Sequence, residues 1–224
     1  MKRIIAVFML IMLVLGNCLV GCGAPSGAGD TTPVVTPEVP ASPKMLLRIE
    51  GNNENLYYGE VEFAEGANLR DALVSFDKAE DKITLTGAAE DYITAVNGET
   101  AGKFGGWDGW CVIVNGVAPA TANSDVLIKD GDEVVLYYGD PWGVGMAYPT
   151  ASVKEDGKLV FEDAISGAVA DMKVILGDKE YKTDENGAIA GIAAGEYTVQ
   201  IEKFAENGLS LVLRFAPDAK ITVK

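Results

Sequence analysis

Gly106-Trp107-Asp108-Gly109-Trp110-Cys111-Val112-Ile113-Val114-Asn115-Gly116 is the stretch on which the fold turns. Trp110 to Val114 is an unbroken aromatic and β-branched run, the composition of a buried strand. The Asn-Gly pair behind it tolerates the positive φ of a tight turn, so it ends the strand or reverses the chain. Further on, Lys129-Asp130-Gly131-Asp132 is an acidic glycine turn that enters a second strand, Glu133 to Tyr138.

Working upstream, Met45 to Glu50 and Tyr57 to Phe63 are β-rich stretches around Gly51-Asn52-Asn53, which predicts a hairpin. Asn68 can cap a short helix whose Leu69, Ala72, Leu73 and Phe76 fall at i, i+3, i+4 and i+7, with Asp71 near its positive end. Shorter strands are expected at Lys82 to Thr86, Tyr92 to Val96 (ending in a second Asn-Gly, Asn97-Gly98) and Val126 to Lys129. The expectation for 44–150 is an α+β sheet with one helix packed on it.

The order Gly-Trp, strand, Asn-Gly, then Lys-Asp-Gly-Asp before a closing strand resembles the transcobalamin-like C-terminal domain (DUF4430) of bacterial surface proteins, over about 44–139. The resemblance implies a β-grasp-like fold. It also implies cobalamin or another corrinoid as a ligand, shared in the animal proteins with a helical barrel that is missing from this sequence. A corrinoid here is thus held weakly by one domain or needs a second protein.

A second unit is expected at 151–224. Leu159 to Phe161, Met172 to Leu176, Tyr197 to Ile201, Leu209 to Phe215 and Ile221 to Val223 are short apolar stretches separated by Asn186-Gly187, Ala194-Gly195 and Asn207-Gly208, the pattern of a small all-β sandwich domain. It is similar to carboxypeptidase-regulatory-like and pilin-type modules of Gram-positive surfaces, which implies a spacer or scaffold. The Asn that would close an isopeptide crosslink is missing from Asp218 to Lys224. Between the units, Gly139 to Asp156 is turn-rich, with Pro141 and Pro149, and predicts few contacts across it.

The N-terminus supplies an address. Lys2 and Arg3 precede an apolar run from Ile4 to Leu15, which reads as a signal peptide over 1–21. Leu19-Val20-Gly21-Cys22 resembles a bacterial lipobox, so Cys22 is the expected lipidation site and membrane lipid an expected partner. The alternative is a non-lipidated signal with a chance cysteine. Residues 23–43 carry five of the nine prolines among Gly, Ser, Thr and Ala, a disordered tether that would hold the protein outside the cytoplasm, on the cell membrane.

Charge and missing residue types narrow the function. Removal of Lys2 and Arg3 leaves 16 basic against 33 acidic residues, a net charge of −17 that repels nucleic acid. The chain has no histidine, which removes His-based nucleophile systems and His-ligated zinc, and no enzyme chemistry is expected. Asp130-Gly131-Asp132 and Asp184-Glu185-Asn186-Gly187 lack EF-hand spacing, so no metal site is expected. With Cys18 lost with the signal and Cys22 lipidated, Cys111 is alone and reads as a packed, unreactive thiol.

The remaining candidates are aromatic. Trp107, Trp110 and Trp142 lie within 36 residues, with Tyr137, Tyr138 and Tyr148 nearby. Such a cluster is either packing or a flat face for a corrin, a sugar ring or a partner protein. Trp110 is assigned to the core; Trp107, Trp142 and Tyr138 are assigned to the ligand face. Trp142 is the strongest, since Asp140-Pro141-Trp142-Gly143 marks a loop. The expected function is a binding lipoprotein, and the alternative is an adhesion or structural module without a small-molecule ligand.

Overall fold

The computed structural model describes residues 41–224; the expected signal peptide, the expected lipidation site Cys22 and the expected tether up to residue 40 lie outside the described residues. The described chain is mostly sheet, with one α-helix. No helix among the described residues is long and apolar enough to cross a membrane.

Strands β1 (Lys44–Glu50) and β2 (Asn55–Glu62) form the expected hairpin. Helix α1 (Leu69–Ala79) follows, and the Asn68 side chain caps it by accepting the Asp71 amide at 2.9 Å. Its Leu69, Ala72, Leu73 and Phe76 are all buried, as their spacing requires. A three-stranded patch comes next: β3 (Leu85–Thr86), β4 (Ala95–Val96) and β5 (Glu99–Thr100), the last two joined at Asn97-Gly98, both with positive φ. Strands β6 (Gly109–Val114) and β7 (Glu133–Gly139) complete a four-stranded sheet in the order β2-β1-β7-β6. Its central pair β1 and β7 is parallel and its outer pairs are antiparallel.

Two further sheets share one apolar core. The first contains β8 (Thr150–Val153), β9 (Leu159–Asp163), β10 (Gly167–Ala168) and, after two intervening strands, β13 (Ala188–Ile189). The second has β11 (Lys173–Leu176) and β12 (Lys179–Lys182) with β14 (Gly195–Glu202) and β15 (Lys220–Val223), in the order β12-β11-β14-β15. Leu159, Phe161, Val174, Leu176, Val199, Ile201 and Val223 meet between them.

Three expectations need correction. Val126 to Lys129 makes only an isolated bridge, Asn68 to Leu127, and Leu127 points into solvent. Leu209 to Phe215 is extended but joins no ladder; apart from single bridges at Ser210 and Val212, it is held by side chains. The expectation of few contacts between 44–150 and 151–224 also fails. Leu209 is buried in the core beneath α1, and Leu213 packs with Ile113, Val135, Tyr137 and Met146 on the other face of the sheet. Arg214 is buried against Glu50 at 2.6 Å and donates to the carbonyls of Gly51 at 2.5 Å and Asn52 at 2.9 Å. Asn52 in turn binds the Gly208 carbonyl and the Ser210 amide. Covering both faces of the sheet explains why β7 is buried from Val134 to Gly139 instead of alternating.

Candidate functional site

β6 is an edge strand, and a cleft of about 310 Å³ opens along it. Gly109 to Val112 form one wall; Asp91 to Ile93 and residues of the 118–123 loop form another, with Trp107 and Trp142 on the same cleft. A larger hollow of about 670 Å³ lies over β11, β12 and β14, but its charges are spent on one another: Lys173 pairs with Glu180 and Glu202, and Lys182 with Asp171. The β6 cleft is lined instead by aromatic side chains, two of them exposed tryptophans.

Of the three residues assigned to a ligand face, Trp107 and Trp142 are exposed and line this cleft. Trp107 is 79% exposed and Trp142 78% exposed, unusual for side chains of this size. A buried aspartate holds the backbone beside each of them. Asp108 accepts the Phe104 amide at 3.0 Å, pinning the loop that carries Trp107, while its other oxygen is buried with no hydrogen-bond partner among the described residues. Asp140 folds back to accept the Gly143 amide at 2.6 Å across Pro141-Trp142. A Cβ at position 143 would collide with the Asp140 carboxylate, so a larger residue there forces that side chain off the amide.

Tyr138 is not on the face. It is 1% exposed, packed edge-on against Trp110 and Phe104 in the core under α1. Its hydroxyl donates to the Asp108 carboxylate and accepts from the Lys103 amide at 3.2 Å. Tyr137 is the tyrosine of this pair that reaches the cleft. Successive strand side chains point to opposite faces, so an error of one residue exchanges a core position for a site position. The Tyr137 and Tyr148 hydroxyls lie 2.7 Å apart with their rings at 88°.

Trp110 is core, as expected, with its indole N–H donating to the Glu99 carbonyl at 2.8 Å. Cys111 lines the cleft, and burial pushes its thiol up to about 11. Burial likewise raises Tyr137 and Tyr148, so these groups are protonated near neutral pH. Asp91 is engaged by Arg70 at 3.4 Å and the Ser124 amide at 2.7 Å. The cleft thus offers aromatic surface and hydrogen-bonding groups, with no free base or nucleophile among these side chains.

Sequence reasoning missed Tyr92, 56% exposed on the cleft, because it was read as the start of a strand. The preceding Asp91 has φ 64°, so the chain turns there and the strand begins only at Ala95. The two acidic turns are structural. Asp132 accepts the Lys129 amide at 2.7 Å and the Asn115 side chain at 2.9 Å, and Asp184 accepts the Asn186 and Ala188 amides.

Residues 66–140 match a family model described as domain of unknown function (DUF4430). No curated protein matches the chain. Among solved structures, the crystal structure of haptocorrin in complex with Cbi is similar at 15% identity and a TM-score of 0.37, covering 46% of this chain. The matched part is 26% of the haptocorrin chain, about a quarter of its length.

Proposed function

We propose, for a chain whose residues 66–140 match the DUF4430 family model, that it is a lipid-anchored extracytoplasmic binding protein whose exposed Trp107 and Trp142, on the rim of the β6 cleft, cover one face of an extended ring ligand, with a corrinoid as the named candidate. The observation that carries this reading is the pair of tryptophans, Trp107 and Trp142, exposed on one cleft in loops whose backbone buried aspartates bond. Exposed indoles on loops whose backbone is already bonded offer stacking surface at a reduced cost of ordering the loop on binding. The protonated Tyr137, Tyr148 and Cys111 and the engaged Asp91 favour holding a ligand over transforming one. A net charge of −15 over the whole sequence favours a neutral or cationic ligand. The mixed order β2-β1-β7-β6 with α1 on one face supports a β-grasp-like reading of 44–139, and the two sheets around one core support a sandwich at 150–223, proposed as a spacer.

Covering roughly 200 Å² of apolar surface is worth a gross ~5 kcal/mol at about 25 cal/mol per Å², most of which association entropy cancels. Binding is therefore expected at micromolar or weaker. Cobinamide titrated into the full chain should quench tryptophan emission saturably after inner-filter correction, and Trp142→Ala should weaken the effect while Trp110→Phe leaves it largely in place. Absence of saturable quenching at millimolar cobinamide, with the circular dichroism native, refutes the corrinoid reading.

A further inference from the structure

The backbone of β6 carries information that its side chains do not. In the β6–β7 ladder the Asn115 amide donates to the Glu133 carbonyl at 2.9 Å, one step beyond the Val114–Val134 pair. Hydrogen-bonding direction alternates along a strand, so Ile113, Cys111 and Gly109 turn their N–H and C=O groups towards β7. Asp108, Trp110, Val112 and Val114 then turn theirs outward, onto the open edge. The two ends of this outward row are occupied: the Asp108 carbonyl accepts the Gly102 amide at 2.8 Å, and Val114 exchanges bonds of 2.9 and 3.0 Å with Val117. Trp110 and Val112 have no main-chain bond outside the ladder among the described residues, and both line the cleft.

Edge strands are usually blunted by charge, proline or a bulge. Gly109 to Val114 contains no charged residue and no proline, and its register with β7 runs unbroken from Gly109–Gly139 to Val114–Val134. Four main-chain groups are therefore left facing a cleft, in a strand that itself carries no charge, proline or bulge against pairing.

We propose that this window is a strand-addition site for an extended segment of a partner protein, paired through Trp110 and Val112. The cleft sets the chemistry of the occupant. The 91–93 and 118–123 segments line it together with β6, and its volume of about 310 Å³ leaves room for no more than a single extended chain. Its lining includes no Lys or Arg, and Asp91, its acidic residue, is already paired with Arg70. The occupant is accordingly uncharged where it crosses the cleft. Glu90 and Asp125, both exposed beside the far wall, favour basic residues at its flank. A second copy of this chain fits poorly: the window offers two residues a side, where a stable dimer uses roughly 20–30. The inference rests on main-chain geometry and stands apart from corrinoid binding, whose readout is the tryptophan faces.

The test uses the full chain and a displayed library of random heptapeptides. Enriched peptides should carry basic flanks around an uncharged centre. N-methylation at alternate peptide residues should abolish binding, and methylation at the residues between should spare it. Val112→Pro removes an N–H that the β6–β7 ladder does not use, so the fold is expected to hold while affinity falls about tenfold or more. Val112→Ala, which keeps the N–H, should bind within about threefold of the parent chain. If Val112→Pro does not fold, the methylation pattern on the parent chain decides alone. No enrichment, peptides indifferent to N-methylation, a folded Val112→Pro that binds equally well, or a parent dimer that Val112→Pro converts to monomer would overturn the proposal.

Discussion

Replacing Arg214 with methionine tests whether the C-terminal part is structurally integral to the β2-β1-β7-β6 sheet. The guanidinium is buried against Glu50 at 2.6 Å and supplies the Gly51 and Asn52 carbonyls at 2.5 and 2.9 Å. Methionine preserves much of the volume but leaves Glu50 with the Asn55 side chain, at 2.8 Å, as its remaining side-chain donor. Removing one partner of a buried pair costs about 3–5 kcal/mol, a large share of the ~5–15 kcal/mol that holds a typical domain together. For a protein of this size that corresponds to a fall in Tm of roughly 6–20 °C. All three tryptophans lie at 107, 110 and 142, so fluorescence during urea unfolding reports the first part of the chain although the substitution is in the last. The expected outcome is one cooperative transition, displaced to lower urea with an unchanged slope, and partial recovery when Glu50→Gln is added. A fluorescence transition that stays within about 1 kcal/mol of the parent, while far-UV circular dichroism shifts, would refute the coupling.

Tyr138→Phe should lower stability by about 1–3 kcal/mol in the same urea assay, because Asp108 loses the donor of its shortest hydrogen bond inside the core; no loss would mean that the hydroxyl is dispensable. Iodoacetamide should alkylate Cys111 slowly at pH 8 in the native chain and rapidly in urea, since burial holds the thiol near 11. Its pKa is raised on folding, so its contribution to stability is complete below about pH 9 and is lost as pH rises from 9 towards 11, which urea unfolding at stepped alkaline pH checks. Expressed with its signal, the chain should incorporate radiolabelled palmitate, and Cys22→Ala should abolish labelling; an unlabelled parent would end the lipoprotein reading.

Features that depend on a few neighbouring residues were legible in the sequence. The Asn68 cap and the buried stripe of α1 are decided within one helix. The strand at Gly109–Val114 and the turn at Asn97-Gly98 follow from β-branching and from the tolerance of Asn-Gly for positive φ. Trp142 was legible as exposed because a proline and a glycine mark its loop. Tertiary structure decided the rest. Whether Tyr137 or Tyr138 reaches the cleft depends on the parity of β7 against partners distant in sequence, and a run buried on both faces has no alternation to reveal it. Leu209 to Arg214 reads as a strand from its apolar content, yet the surface it covers is built from β1, β6 and β7, and that surface exists only once those strands have paired. The same is true of the open edge of β6, because a strand's composition specifies its conformation while pairing over the whole chain determines which strand is left without a neighbour.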